Sequence, residues 1–290
     1  MFTVMFVRGW HVEGRPDGIA VSRDGKVFVN INNSHRVVKY SAEGTPLAEW
    51  SIPGESRGIA VSPNGEVFVN INQNHRVVEY GADGTVSVNI NNNCRVVKYS
   101  GEGQLLAEWY SAGEASGIAV NRDGQVLVNI NNSHRVVNYY TSGEVSVNIN
   151  NNWHVAMYSS EGELLEEWPS PAGTSGIAAS PEGAVFSVNN LLHVAKCRPG
   201  GDPLGEWSVV AGVIETNGIV ANPNGEVFVN INNNHRVVKC SAEGELLSEW
   251  GGEGDLPGEF RSPVGVALGP DGLVYVADRG NSRVQVFRCL

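Results

Sequence analysis

The strongest constraint on the fold is a short sequence unit that recurs along the whole chain. Gly-Ile-Ala-Val or a close variant begins at Gly18, Gly58, Gly117, Gly176, Gly218 and Gly265. A second series is formed by Trp10, Trp50, Trp109, Trp168, Trp207 and Trp250. A period of about 40 residues is typical of solenoids and propellers, in which each unit packs on its copies.

Each unit reads as four short strands. In residues 18–50, the runs are G-I-A-V-S, K-V-F-V-N-I, H-R-V-V-K-Y and T-P-L-A-E-W, separated by R-D-G, N-N-S and S-A-E-G. Runs rich in β-branched and aromatic residues between such turns indicate an antiparallel meander, whose strands we label a to d. A lone four-stranded sheet cannot cover both of its faces, and radial stacking solves this problem. We therefore predict an all-β, six-bladed β-propeller of four-stranded antiparallel blades.

The two ends of the chain are expected to close the ring. The last unit stops after strand c at Phe287, and the N-terminal run V-M-F-V-R-G-W offers a d strand that ends in Trp10. Pairing of these strands removes an open sheet edge. Residues 1–290 are thus predicted to form one propeller domain, whether this chain is whole or part of a longer protein.

Two extra copies of the b–c pattern complicate the blade count. Residues 86–99 directly follow residues 67–80, and residues 145–158 directly follow residues 126–139, joined by G-A-D-G and T-S-G-E. Each copy is expected to be a hairpin that turns at its asparagines. Either two blades carry an inserted hairpin, or an eight-bladed ancestor twice lost strand d and the next strand a. Six complete sets favour six blades, and up to eight remain open.

The last unit resembles an NHL repeat. Residues 263–287 read P-V-G-V-A-L-G-P-D-G-L-V-Y-V-A-D-R-G-N-S-R-V-Q-V-F and follow W-G-G-E-G-D-L-P-G-E-F, and another unit has N-H-R-V at residues 74–77. The resemblance implies a six-bladed propeller of a family that includes RNA-binding and partner-binding modules of ubiquitin ligases, and amidating lyases. One departure is systematic. Asp278 is replaced by Ile31, Ile71, Ile90, Ile130, Ile149 and Ile231 in the other units.

Composition narrows the choice of partners and location. The chain has 31 acidic and 20 basic residues and a net charge of −11, which repels phosphate backbones at long range. No apolar run approaches the ~18 residues of a membrane helix, and the N-terminus does not read as a signal peptide. The four cysteines form no C-x-x-C pair and are expected to be reduced core thiols. We expect a cytoplasmic monomer without a cofactor or membrane attachment.

Recurring histidines, arginines and Glu-Trp pairs favour structural roles. His35, His75, His134 and His235 come from different units, so they are expected to lie too far apart to share a metal. Arginines such as Arg36 open strand c and can bond turn carbonyls or the glutamate of the Glu-Trp pair, while the tryptophan seals the junction between blades. No catalytic or nucleotide-binding motif is visible, so we expect that the chain is not an enzyme.

The asparagines are the best candidates for a binding site. The b–c and d–a connections should share one face, where neutral amides and some positive charge suit a protein or peptide partner. The predicted binding residues are Asn32, Asn33, Asn72, Asn74, Asn91, Asn92, Asn131, Asn132, Asn150, Asn151, Asn232, Asn233 and Arg57.

Three alternatives compete with this prediction. Asparagine also suits turns without binding anything. Single-stranded RNA is the second alternative, but it needs a basic, aromatic-bearing surface. The third is a metal-dependent lyase or hydrolase, although strand a offers no ligand in its first four residues. The opposite face is predicted to be acidic, with Asp24, Glu43, Glu102, Asp123, Glu161, Glu182, Glu243 and Asp271.

Overall fold

The computed structural model describes residues 3–80, 86–111, 113–139, 145–170, 174–180, 182–189, 193–209 and 218–290. Within the long strands, the side chains of residues 73–80, 86–93, 132–139 and 145–152 lie outside this description. The described part forms 24 β-strands and two short 3₁₀ turns, Asn32–Ser34 and Arg279–Asn281. The predicted all-β class is confirmed.

The strands form six antiparallel blades, as predicted. Blade 1 contains β2 (Pro16–Val21), β3 (Val27–Ile31), β4 (Arg36–Tyr40) and β5 (Pro46–Ser51). Blade 2 contains β6 (Glu55–Val61), β7 (Val67–Tyr80), β8 (Val86–Tyr99) and β9 (Leu105–Tyr110). Blade 3 contains β10 (Glu114–Val120), β11 (Val126–Tyr139), β12 (Val145–Tyr158) and β13 (Leu164–Pro169).

The second half of the ring repeats this order. Blade 4 contains β14 (Thr174–Ala179), β15 (Val185–Asn189), β16 (His193–Cys197) and β17 (Pro203–Ser208). Blade 5 contains β18 (Ile219–Ala221), β19 (Val227–Ile231), β20 (Arg236–Cys240) and β21 (Leu246–Gly251). Blade 6 contains β22 (Pro263–Leu268), β23 (Leu273–Asp278), β24 (Arg283–Cys289) and, from the N-terminus, β1 (Val4–His11).

The a strands contact one another in ring order around a narrow axis. A Cβ atom added at Gly117 would lie 3.2 Å from the backbone nitrogen of Ile177 and 3.3 Å from the Cα atom of Gly176. Glycine therefore lets neighbouring a strands approach closely. The space left at the axis is a cavity of about 60 Å³ lined mainly by the recurring Gly and Ile residues.

The predicted closure of the ring is confirmed. Strand β1 pairs antiparallel with β24, and Trp10 lies opposite Val284. In blade 1, Trp50 has the same place opposite Val37. The N-terminal strand is thus the d strand of blade 6, in register with the other d strands.

The prediction that the extra b–c copies turn at their asparagines is wrong. Strand β7 pairs with β8 along its whole length, from Val67 opposite Tyr99 to Tyr80 opposite Val86. Strands β11 and β12 pair in the same way. The inserted residues therefore lengthen the b–c hairpins of blades 2 and 3. The predicted turns at residues 81–84 and 141–144 lie outside the described residues.

Strand chemistry explains why no further blade forms. A blade needs an a strand at the axis, and the inserted segments carry only b and c patterns. Continuous pairing satisfies their backbone groups instead. At a rise of roughly 3.3 Å per residue, each extension reaches about 25 Å past the point where blade 1 turns. Val86 of β8 also lies opposite Tyr139 of β11, which joins blades 2 and 3 in one eight-stranded sheet.

Tryptophan seals the blade junctions, as predicted. The ring of Trp50 lies 6.2 Å from Phe28 of its own blade and 5.9 Å from Tyr99 of the next blade, measured between centroids. Its third neighbour is Gly103, whose φ of +85° places the turn against the indole, and an added Cβ would meet Trp50 at 2.6 Å. One aromatic ring thus packs on strands b and c and on the c–d turn of two blades.

Candidate functional site

The asparagine face is the end of the propeller that carries the b–c turns and the d–a connections. In blade 1, the turn Asn32–Ser34 is followed by His35 with φ +47°, in the left-handed region. His235 of blade 5 has φ +54°. Histidine and asparagine enter this region more readily than most residues. In these two tight turns, Asn33 and Asn233 are exposed to solvent.

The first asparagine of the blade 1 turn, and its counterpart within strand β7, face the neighbouring blade rather than solvent. Asn32 accepts a hydrogen bond from the backbone N–H of Ser56 at 3.0 Å through its Oδ1 atom. Asn72 donates to the backbone oxygen of Ala115 at 3.0 Å and accepts from its N–H at 3.3 Å. These two amides connect blade 1 to blade 2 and blade 2 to blade 3.

A second row of asparagines lies deeper, and the sequence analysis missed it. Each side chain is almost fully buried in strand b and donates from Nδ2 to a backbone carbonyl of the next a strand. The pairs are Asn30 with Ser56 at 3.2 Å, Asn70 with Ala115 at 3.1 Å, Asn129 with Gly176 at 3.0 Å and Asn230 with Pro263 at 2.6 Å. The available signal was an amide inside the apolar run V-F-V-N-I.

The remaining predicted asparagines differ in their positions. Asn232 is buried and accepts a hydrogen bond from Asn230 at 2.5 Å. Asn131 is half-buried in β11. The side chains of Asn74, Asn91, Asn92, Asn132, Asn150 and Asn151 lie outside the described part, and their backbone is strand rather than turn. Asn33 and Asn233 are therefore the exposed amides among the predicted residues that the structure describes.

Charges on this face are locally balanced. Arg57, a predicted binding residue, is largely exposed and lies 3.4 Å from a carboxylate oxygen of Glu114. Nearer the axis, Arg279 lies 3.0 Å from Asp17. Burial raises the pKa of Asp17, and the neighbouring Arg279 acts in the opposite direction. At the mouth of the axis, Arg57 and Arg279 thus each lie in an ion pair.

The arginines that open strand c have the predicted structural role. Arg36 lies 3.0 Å from Glu49 and also donates to the backbone oxygen of Glu13 at 2.8 Å. Blades 2 and 5 repeat this pair. Blades 3 and 4 have histidine in place of arginine. The equivalent pairs are Arg95 with Glu108, Arg236 with Glu249, His154 with Glu167 and His193 with Glu206.

Histidines and cysteines also show structural surroundings. His235 accepts a hydrogen bond from the backbone N–H of Ser262 at 3.0 Å through Nδ1. The side chains of His75 and His134 lie outside the described part. Within the described residues, no three His, Cys, Asp or Glu side chains are grouped as a metal site. All four cysteines are free thiols, as expected.

The opposite face is acidic, and several of its carboxylates are exposed. Lys39 reaches from strand c to Glu102 of the next blade at 2.6 Å, and Lys98 reaches Glu161 at 3.0 Å. All eight predicted carboxylates of this face are exposed: Asp24, Glu43, Glu102, Asp123, Glu161, Glu182, Glu243 and Asp271. A cavity of about 380 Å³ opens between the a–b turns, with Arg23 and Arg122 in its lining.

Comparison with known proteins agrees with this architecture. The family model of the NHL repeat matches residues 260–287. The NHL repeat-containing protein 3 of Homo sapiens is 44% identical over 54 residues, which cover 19% of this chain and 16% of the human protein. The chain therefore matches less than a fifth of the length of this curated relative.

Solved structures show the fold over the whole chain. A streptogramin B lyase superposes with a TM-score of 0.59 at 15% identity and covers 100% of this chain and 98% of its own. A gluconolactonase from Xanthomonas campestris superposes with a TM-score of 0.65 at 11% identity and covers 100% and 90%. At these identities the likeness concerns the fold alone.

Fold and repeat together define a six-bladed β-propeller. The resemblance of the sequence to the NHL-repeat family is confirmed by the match at residues 260–287. Within the described residues, no helix is long and apolar enough to cross a membrane.

Proposed function

We propose that the chain is a non-catalytic binding platform that engages a protein or peptide partner through its asparagine face. The observation that carries this proposal is the division of the asparagines into two sets. Asn30, Asn32 and Asn72 bond the neighbouring blade, whereas Asn33 and Asn233 are exposed to solvent. The Oδ1 atom of Asn33 also accepts a hydrogen bond from the backbone N–H of Arg15 at 3.2 Å. Exposed amides donate and accept hydrogen bonds, as an exposed peptide backbone does.

Balanced charge on this face favours a protein over RNA. Arg57 and Arg279 each have a carboxylate partner, so neither is a free cation that would neutralise a phosphate. Phosphate contacts supply most of the affinity in sequence-independent nucleic-acid binding. The net charge of −11 opposes it further.

The axial cavity also supports a role without catalysis. It has a volume of about 60 Å³, and the recurring Gly and Ile residues of six a strands form most of its wall. Ligand sites are usually about 300 Å³ or larger, so this one holds little more than water. The larger cavity of about 380 Å³ between the a–b turns has no carboxylate, histidine or cysteine among its described lining residues. The lyase and the gluconolactonase are enzymes on the same fold, but a fold does not determine an activity.

Site-specific photo-crosslinking in cells tests this proposal. A crosslinking amino acid would replace Asn33 in one variant and, as a matched control on the acidic face, Glu43 in another. Both positions are exposed in turns of blade 1. We expect ribonuclease-resistant protein adducts that are specific to position 33 and are lost when Asn233→Glu is added.

Other results would overturn the proposal. Adducts that disappear after ribonuclease treatment would identify RNA as the ligand. The same protein adducts at positions 33 and 43 would show that the asparagine face is not distinguished from the acidic face. Adducts only at position 43 would move the binding surface to the opposite end of the propeller.

A further inference from the structure

The junction between blades 3 and 4 contains a cavity of about 340 Å³. Trp168 and Val155 of blade 3 line one side, and Ala195, Cys197 and Glu206 of blade 4 line the other. This volume falls within the range of sites that bind small molecules. It lies between two blades, away from the axis, and its lining includes Pro169 and Ser170 where strand d of blade 3 ends.

The cavity arises from three small residues on the same side of blade 4. In blade 1, the corresponding positions hold Val29 opposite Val38, and Tyr40 in strand c. Blade 4 has Ser187 opposite Ala195, and Cys197 in strand c. Blade 5 has only the last of these changes, Cys240, with both valines retained. Only blade 4 of these three blades has all three smaller side chains together.

Burial shows that the space is more open in blade 4 than at the same positions of blades 1 and 5. Val38 and Tyr40 are 5% and 4% exposed, and Cys240 is 1% exposed. Ala195 and Cys197 are only half-buried. Blade 5, in which only the tyrosine is replaced by cysteine, therefore keeps this position closed to solvent. In blade 4, the three smaller side chains together leave a space that solvent or a ligand can enter.

The missing side chain indicates which ligand fits. At three other junctions, a tryptophan packs on the phenol ring of the next blade. Trp10 lies 5.9 Å from Tyr40 with the rings inclined by 46°, and Trp109 lies 6.1 Å from Tyr158 at 51°. At this junction the residue across from Trp168 is Cys197, which forms a hydrogen bond with it. No aromatic ring among the described residues contacts Trp168.

We propose that the cavity between blades 3 and 4 binds a small neutral phenol, whose ring takes the place that a tyrosine fills at other junctions. Trp168 is only 4% exposed and offers little of its ring, so the ligand ring packs mainly in the space left by Ser187, Ala195 and Cys197. Glu206 and the Ser187 hydroxyl line the cavity and accept the phenol O–H. The lining carries both the Glu206 carboxylate and Lys196, so it has no net positive charge to offset the desolvation of an anionic ligand.

Fluorine NMR with 4-fluorophenol as the probe tests this inference on the full chain. We expect saturable broadening of the fluorine signal with wild type and no saturable broadening with 4-fluorobenzoate, its anionic counterpart. Cys197→Tyr restores the tyrosine of other repeats and should weaken binding at least tenfold. Cys240→Tyr makes the same exchange in blade 5 and should leave binding unchanged.

A second measurement needs no variant. In wild type, 4-fluorophenol should slow alkylation of Cys197 by iodoacetamide at least threefold, resolved by mass spectrometry, and should not affect Cys289. If Cys197→Tyr does not fold, Ala195→Val with Ser187→Val reduces the same space. Absence of saturable binding, or equal binding by wild type and a folded filled variant, would overturn the inference.

Discussion

In blade 6, strand b ends on Asp278, whereas blade 1 has Ile31 at the same register position. Both side chains are fully buried. Asp278 accepts hydrogen bonds from Arg283 at 2.7 Å and Asn281 at 2.9 Å, and Gln285 donates to it at 3.2 Å. We call these four residues the Asp278 cluster. It holds the blade that joins the two ends of the chain.

Blade 1 uses polar groups to hold its neighbour instead. Its buried Asn30 and its Lys39 both bond blade 2. The corresponding residues of blade 6 are Ala277 and Val286, which can form neither bond. Strands b and c of blade 6 therefore place the polar groups of the Asp278 cluster within the blade, whereas strands b and c of blade 1 place Asn30 and Lys39 against the next blade.

Loss of the Asp278 carboxylate should have the largest effect on stability. Asp278→Ala leaves buried partners of the cluster without an acceptor. Breaking a buried charged pair typically costs about 3–5 kcal/mol, and we expect a loss of this size in the free energy of unfolding. Denaturant unfolding followed by circular dichroism measures it. Asp271→Ala, an exposed aspartate in the same blade, should change stability by less than about 0.5 kcal/mol.

The junction between blades 6 and 1 should be the next most sensitive. Gly44 has φ +89°, and an added Cβ would lie within 2.4 Å of Trp10, whereas Gly65 has φ +83° and open space around it. Gly65→Ala should cost about 1–2 kcal/mol from backbone strain alone. Gly44→Ala should cost at least ~1 kcal/mol more, because it also overpacks the closing junction. Equal losses in thermal or denaturant unfolding would show that Trp10 does not seal the ring.

The buried amides should contribute less individually. Asn30→Ala removes the bond to the Ser56 carbonyl and leaves that acceptor without this donor, so we expect a loss of about 1–3 kcal/mol. Asn64→Ala, at an exposed turn of blade 2, is the matched control. Hydrogen exchange should show faster opening of strands β3 and β6 in the first variant. Unchanged exchange in both strands would contradict the inter-blade role.

The smallest effect concerns a carboxylate on the acidic face. Glu102→Ala removes the partner of Lys39 and should cost no more than about 1 kcal/mol, reduced further by salt because Glu102 is mostly exposed. Glu43 of blade 1 occupies the position that Glu102 occupies in blade 2. The residue of blade 6 that corresponds to Lys39 is Val286, so Glu43 has no lysine at that position to pair with. Glu43→Ala should therefore leave stability unchanged at low and at high salt. A salt-dependent loss in Glu43→Ala would remove this contrast.

Much of this comparison could be predicted from the repeat alone. The strand pattern, the closure through Trp10, the sealing tryptophans and the pairing of Arg36 with the Glu-Trp segment all follow from local sequence. The extended hairpins did not, because V-N-I-N-Q-N is compatible with a turn and with a continuous strand. Long-range pairing of β7 with β8 decides between them.

The two roles of asparagine were harder to predict. Asn30 and Asn33 are three residues apart and chemically identical, but one side chain lies between blades and the other in solvent. Only the blade-to-blade contacts separate them. Likewise, the sequence showed that isoleucine replaces Asp278 in the other units. It did not show which residues of the Asp278 cluster would surround the buried charge, because the fold brings them together.

The central claim is that inward asparagines hold the ring and outward asparagines bind the partner. The most direct measurement is the affinity of the partner identified by crosslinking for two folded double variants, Asn33→Glu/Asn233→Glu and Asn30→Ala/Asn230→Ala, with their unfolding free energies measured in parallel. The outward pair should lose binding at least tenfold with little loss of stability. The inward pair should lose stability and, while folded, keep its affinity. Full affinity in the outward pair would contradict the account.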